Sequence, residues 1–374
     1  MKKVLFVASV SGHIRAFHLP YLEWFRKEGY QVDVAARLTA ELPPEYNFHN
    51  ISFERSPFKK SNISVYKQLK KLIDENEYDI IHCHTPVAAI LTRLAARKAR
   101  KHGTKVIYTA HGFHFYKGAP LLNWLIYYPI EKLCSKWTDV LITINKEDYE
   151  FAKKKMKAKW IKYVPGVGFD YDKFSNFTVT EEKKNKFRED LGIGGNDVML
   201  VSVGELNDNK NHSVIIKALS QISHQNVHYC IAGKGPLENS LKQLSASLGL
   251  GDRVHILGFR TDVQFLLNCA DIFCFPSKRE GLGIAAIEAM ACGLPIVTSN
   301  IHGINDYSED GITGFKCSPN DVVGFVRIIN KLFLSPELRD QICENNREIA
   351  KSYNIDTIMN KVRKIYLEAL REQD

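Results

Sequence analysis

No stretch of the chain stays apolar for the roughly 18 to 20 residues that a bilayer-spanning helix needs, so the sequence predicts a protein that does not cross a membrane. There is no C-x-x-C pair and no Cys/His cluster at zinc spacing. The eight cysteines, at positions 83, 134, 230, 269, 274, 292, 317 and 343, lie mostly inside apolar runs and read as reduced core thiols of a cytosolic protein. The opening "MKKVLFVASVSGH" loses its apolar character after Val10, and no small-residue cleavage site follows, so it reads as a buried first strand and not as a signal peptide. It also lacks a G-x-G-x-x-G fingerprint, which disfavours a dinucleotide oxidoreductase. No nucleic-acid recognition motif accompanies the basic residues, so a nucleic-acid partner is not expected.

At 374 residues, 45% hydrophobic and 25% charged, the chain is ordinary globular material long enough for two cores. Charge is unevenly spread. Residues 1–173 hold 29 Lys and Arg against 17 Asp and Glu, about +12, while the remainder holds 22 against 25, about −3. An anionic partner or lipid surface is therefore expected on the first half.

Short apolar runs ("KKVLFVAS", "QVDVAAR", "YDIIHCH", "KVIYTAHG", "DVLITIN") alternate with helical patterns, which predicts a parallel sheet covered on both faces. The second half repeats the rhythm with "DVMLVSVGEL", "VHYCIAGKGP", "RVHILGF", "DIFCFPS" and "PIVTSN". The reading is α/β, two doubly wound Rossmann-like domains: residues 1–172, a linker over 173–195, and 196–353, with a helix over 354–374 packing back on the first. Ligands of such sheets sit beyond the carboxyl ends of the strands, so a cleft between facing domains is expected.

Three loops carry chemistry. "VGELNDNKNH" follows a strand, and Gly204 with Lys210 offers a turn and a cation near a helix start, suited to phosphate, though a solvated lysine would look the same. "IAGKGP" is a lone Gly-x-Gly and reads as a turn. "SKREGLGIAAIEAMACGLPIV" sets Glu280 and Glu288 eight residues apart, about 12 Å along a continuous helix and too far to share a proton. A loop at Gly281 and Gly283 with a helix from Ile284 is the more economical reading. It presents the amides of Leu282, Gly283 and Ile284, and its apolar sequence leaves Glu288 nearly buried. The aspartates of "FDYD", Asp170 and Asp172, read as a linker turn and not as a metal-binding D-x-D.

Gly204, Lys210, "IAGKGP", "LGFRTDV" and "EGLGIAAIEAMACGLPIVTSN" resemble the donor half of glycosyltransferase family 4, whose fold is GT-B. "HIRAFHLPYLEWFRKEGYQVDVAA", "DIIHCHTPVAAI" and "TAHGFHF" are similar to the acceptor half of its exopolysaccharide and capsule members, so the likeness covers nearly the whole chain. The resemblance implies retaining transfer from a nucleotide sugar with no metal and no cofactor; the expected donor is a UDP-linked N-acetylhexosamine or hexose, though the likeness fixes the reaction type and not the sugar. It implies that Glu280 holds the transferred sugar, Glu288 the ribose, Lys210 the diphosphate, and the Phe259 and Arg260 backbone the base. His111 would stand at the anomeric centre, Gly12 would admit a phosphate or the acceptor, and His13 and His114 would bind the acceptor. The chain departs from the family at "GEL", where Glu205 replaces an arginine; Arg279 or Lys278 is expected to supply that charge.

"YKGAPLLNWLIYYPIEKLCSKW" reads either as a core helix or as an interfacial one, with Lys117, Lys132 and Lys136 beside Trp124, Tyr127 and Tyr128. "RLAARKARKHG" and "KKKMKAKW" read as solvated helix faces or as lipid contacts. Together they suggest a peripheral protein on an anionic inner leaflet, with a lipid-linked saccharide as acceptor. A soluble acceptor, or nucleotide-sugar binding without transfer, are the alternatives.

Overall fold

The computed structural model describes residues 1–54 and 56–371. The chain forms two compact units, one of residues 1–168 together with the chain from Asp356 onward, the other Phe169–Ile355.

The first unit is built on seven strands: β1 (Lys3–Val10), β2 (Gln31–Arg37), β3 (Asn47–Asn50), β4 (Ile80–His84), β5 (Lys105–Ala110), β6 (Val140–Thr143) and β7 (Trp160–Tyr163). They lie in the order β3-β2-β1-β4-β5-β6-β7, every pair parallel. Runs such as Val4–Ala8 and Ile80–His84 are buried along their whole length, as strands covered on both faces must be. Strand order reverses between β1 and β4. The carboxyl ends at this switch point lead into Ser11–His13, His84 and, one strand further, His111.

The helix Ile355–Arg371 belongs to this unit and buries Ile358, Met359, Val362, Ile365, Tyr366 and Ala369 at helical spacing. The Tyr366 hydroxyl lies 2.6 Å from His82 Nδ1, and its ring packs against Phe25 and Trp24.

The basic stretch from Arg93 to Gly103 is partly structural, which sequence pattern alone did not distinguish. Arg93 is buried, with Nη2 2.8 Å from Glu131 Oε2 and its guanidinium 4.1 Å from the centroid of the Tyr108 ring. Arg97 lies over Trp137, and Arg100 pairs with Asp139. In the helix Leu121–Cys134 the aromatic residues Trp124, Tyr127 and Tyr128 pack on the core, while Leu121, Leu122 and Leu125 stand exposed. The helix thus serves the core on one face and leaves an apolar edge on another.

The second unit holds β8 (Val198–Val203), β9 (Val227–Ala232), β10 (Val254–Gly258), β11 (Ile272–Phe275), β12 (Ile296–Ser299) and β13 (Gly314–Cys317), in the order β10-β9-β8-β11-β12-β13, all parallel. The stretch read as a linker over 173–195 is part of this unit. It carries most of the helix Tyr171–Ser175 and all of the helix Glu181–Glu189, and Arg188 donates to the Cys269 carbonyl and to Asp271, each at 3.0 Å. Its high charge is the solvated face of a helix anchored by the buried Arg188 and by Phe187, whose ring lies 5.3 Å from that of Phe265. Asp170 caps the helix Tyr171–Ser175 by accepting from the Lys173 amide at 3.0 Å, the local turn role read for "FDYD".

Candidate active site

In the second unit two loops, after β8 and after β11, are stitched side by side. Asn207 accepts from the Lys210 amide at 3.0 Å, the Lys278 amide donates to the Asn209 carbonyl at 2.7 Å, and the Asn209 side chain donates to the Arg279 carbonyl at 3.0 Å. The loops bring Lys210 Nζ to 2.6 Å from Glu280 Oε1 and lay the ammonium 4.8 Å from the Phe275 ring centroid. A charge-assisted bond of this length between two largely shielded side chains fixes both ends. A Cβ on Gly204 would stand 3.3 Å from Lys210 Cε, so the glycine lets the lysine stem lie close along the backbone.

Glu280 is also held through its main chain. Its carbonyl accepts from the Gly303 amide at 3.3 Å and lies 2.7 Å from His302 Nδ1. Gly283 then turns the chain at φ +89°, where a Cβ would stand 2.4 Å from Phe275 Cε1, and the helix Ile284–Ala291 begins. The start at Ile284 places Glu288 on the second turn. Of the first-turn amides, that of Ala286 donates to the Gly283 carbonyl at 3.1 Å, and the aligned peptide dipoles make this corner electropositive. Leu282 is buried beside them. Burial pushes the Glu288 carboxyl up to about 7, Lys173 opposing it slightly.

The remaining donor-side residues fall as follows. Glu205 is exposed and accepts from Asn207 Nδ2 at 2.9 Å, so that neighbour partly satisfies its charge. Lys278 pairs with Asp208 at 2.7 Å. Phe259 is exposed beyond β10, and Arg260 is clamped by Asp262 at 2.6 Å and lies over Phe187.

In the first unit, Gly12 opens the helix Ser11–Phe17, its amide donating to Thr39 Oγ1 at 3.1 Å. His13, from the same helix, meets His111 at the end of β5, the ring centroids 4.8 Å apart. His114 is not part of this group; its ring lies 4.7 Å from that of Tyr127, because the chain turns away after Gly112 at φ +112°. Two histidines that sequence reasoning passed over complete the group. His18 stacks on His84 with centroids 3.8 Å apart, and His84 Nδ1 lies 3.3 Å from His111 Nε2. His82, on the same face of β4 two residues earlier, is satisfied by Thr109 and Tyr366. Desolvation lowers the pKa of His13 to about 4 and of His82 to about 3, and holds His18, His84 and His111 well below the ordinary value, so burial favours the neutral form of these rings. The legible signal was "HCH", whose alternation puts two imidazoles on one face of a strand.

Two parallel α/β units, one with a lysine, a carboxylate and a helix start at its strand ends and the other with histidines at its own, define a glycosyltransferase of GT-B fold. Residues 3–145 match the model for glycosyl transferase 4-like proteins and residues 183–349 that for glycosyl transferases group 1. The chain belongs to this family. It is 41% identical over 368 residues to EpsD of Bacillus subtilis, which is named as a glycosyltransferase, covering 98% of this chain and 96% of that one. It is 32% identical over 317 residues to the UDP-Gal:alpha-D-GlcNAc-diphosphoundecaprenol alpha-1,3-galactosyltransferase of Escherichia coli, covering 83% and 79%. Among solved structures, HepE of Anabaena, crystallised with UDP, matches with a TM-score of 0.79 at 21% identity, over 98% of this chain and all of that one. That likeness is one of fold.

Proposed function

We propose that the protein transfers a hexose or N-acetylhexosamine from a UDP sugar to a lipid-linked saccharide, with retention at the anomeric carbon and without a metal ion, in the assembly of an exopolysaccharide or capsule. The observation that carries this reading is the Lys210–Glu280 pair beside the start of the helix Ile284–Ala291. A diphosphate takes Lys210 and the helix amides, and Glu280, released from the lysine, accepts from hydroxyls of the transferred sugar. Glu288 accepts from the ribose. The relative that uses UDP-Gal and a diphosphoundecaprenol-linked acceptor supports the choice of donor nucleotide and of acceptor class; the UDP held by HepE agrees with the first.

In this reading the acceptor hydroxyl attacks on the face from which the nucleoside diphosphate departs, and the departing phosphate oxygen takes the hydroxyl proton. Lys210 and the amides stabilise the leaving charge, and they are already in place before the reaction begins. His111 is assigned to the anomeric centre as a neutral imidazole, and Gly12 and His13 to the acceptor.

Membrane attachment is proposed to be peripheral, on the inner leaflet. Among the described residues no helix is long and apolar enough to cross a membrane. The exposed Leu121, Leu122 and Leu125, next to Lys117 in the basic first half, are the surface suited to anionic lipid. A thermal-shift screen of nucleoside diphosphate sugars, followed by transfer to undecaprenyl diphosphate saccharides, tests the proposal. UDP sugars should stabilise most and one should be consumed; stabilisation without transfer to any lipid-linked acceptor overturns it.

A further inference from the structure

The four imidazoles at the switch point of the first unit are arranged as a ligand set. One ring nitrogen from each of His13, His18, His84 and His111 lies within 4.8 Å of the other three. Two of these spacings, His13 Nε2 to His18 Nε2 and His84 Nδ1 to His111 Nε2, are 3.3 Å. A tetrahedral site with bonds of about 2.0 to 2.1 Å has nitrogens about 3.4 Å apart, so two edges are already at that length and the others close by small ring rotations. The rings come from separate elements: the helix Ser11–Phe17, the junction after it, the end of β4 and the end of β5. His84 and His111 are placed by the ends of adjacent strands, and His13 and His18 by the helix that follows β1 and its junction with the next.

A hydrogen-bonded pile of neutral rings does not account for all of their polar atoms. His18 Nδ1 and His84 Nε2 are buried without a hydrogen-bond partner, in rings that are 3% and 0% exposed. Both rings also line a cavity of about 20 Å³ together with Tyr21 and Thr109, the size that holds one water. Histidines that ligate a metal donate their second nitrogen to such an outer partner. The set contains no carboxylate and no thiolate, and four imidazoles select late first-row cations over magnesium or calcium.

We infer that His13, His18, His84 and His111 bind one late first-row divalent cation, with zinc as the representative, and that the bound cation withholds His111 from sugar transfer. The transfer described above belongs to the metal-free form. The inhibitory half rests on the role given to His111 under Proposed function; the binding half does not.

The test uses the full chain without a polyhistidine tag, stripped of metal by chelator. Cobalt(II) is titrated with detection of the intense visible bands of tetrahedral cobalt, and zinc is titrated by calorimetry with magnesium as the control. One zinc per chain, displacement of cobalt by zinc and no response to magnesium are expected. His84→Gln should weaken zinc at least about tenfold, as should His13→Gln, which lies at a partly exposed position and guards against a misfolded His84 variant. His102→Gln, at an exposed histidine outside the set, should bind as the parent does. Absence of tetrahedral bands, or unchanged zinc binding in both cluster variants, overturns the site while leaving the proposed transfer intact. Zinc binding at one per chain with an undiminished transfer rate overturns the inhibitory half and, with it, the role of His111.

Discussion

Lys210 and Glu280 neutralise each other across 2.6 Å, each from a loop tied to the other by hydrogen bonds of Asn209. A donor must therefore exchange partners with both groups at once. Lys210→Ala should weaken UDP-sugar binding about tenfold to a hundredfold, the worth of one charge-assisted bond. Glu280→Gln frees the lysine, so calorimetry should find UDP bound at least as tightly as in the parent, while turnover falls about a hundredfold because the sugar is no longer positioned. Loss of UDP affinity in Glu280→Gln would place that carboxylate on the nucleotide instead.

Glu288 should make donor binding pH-dependent. Its carboxyl is pushed up to about 7 by burial, so it is mostly protonated at pH 6 and mostly ionised at pH 8. An ionised carboxylate is the better acceptor for ribose hydroxyls. Affinity for a UDP sugar, whose diphosphate does not titrate here, should rise by up to about tenfold from pH 6 to 8, and Glu288→Gln should flatten the curve. The unliganded protein should show the opposite sign. The native state holds this proton more tightly than the unfolded chain, so ionisation of Glu288 lowers stability as pH rises from about 4.5 towards 7.

The departure at Glu205 makes Arg279 the cation to examine, since it stands in the loop after β11 next to Glu280. Arg279→Ala should lower donor affinity about tenfold or more in the thermal-shift or calorimetric assay. Unchanged affinity would mean that Lys210 and the helix amides carry the diphosphate alone.

Gly283 tolerates no side chain. At φ +89°, with Phe275 Cε1 2.4 Å from where a Cβ would stand, Gly283→Ala should cost about 1 to 3 kcal/mol of stability. It should also abolish the thermal shift given by UDP, because the first turn of the helix Ile284–Ala291 must move. A variant melting like the parent and still stabilised by UDP would refute this.

Much of this was legible in the sequence. Runs such as "VLFVA" and "VMLV" are apolar along their whole length, as a strand buried on both faces requires, so the two parallel sheets could be read directly. "EGLG" before an apolar helix pointed to the corner at Gly283 because glycine at a loop-to-helix junction has a backbone reason. The histidine cluster could not be read in the same way. Its members are separated by up to 98 positions and meet only because β1, β4 and β5 end side by side. The 173–195 segment looked like a linker since its surface is charged and its buried residues are few and scattered: Phe174, Ile193 and Arg188, the last itself a charge.

Arg93 misleads for the same reason, and yields a stability prediction. It is buried against Glu131 and Tyr108 within a run of basic residues. Glu131→Leu should destabilise the protein by about 3 to 5 kcal/mol in chemical denaturation, since it leaves a guanidinium buried without its counter-charge. A cost below 1 kcal/mol would mean that the guanidinium reaches solvent.

The contact between Tyr366 and His82 spans 284 positions, and it orders events during synthesis. A ribosome releases every strand of the first unit long before the helix that covers His82, Trp24 and Phe25 exists. Phe169–Ile355 can meanwhile emerge and complete its own sheet. The half of the protein that is made first is therefore the half that finishes last. Until the final helix arrives, its aromatic floor is exposed surface for a chaperone or for a second nascent chain.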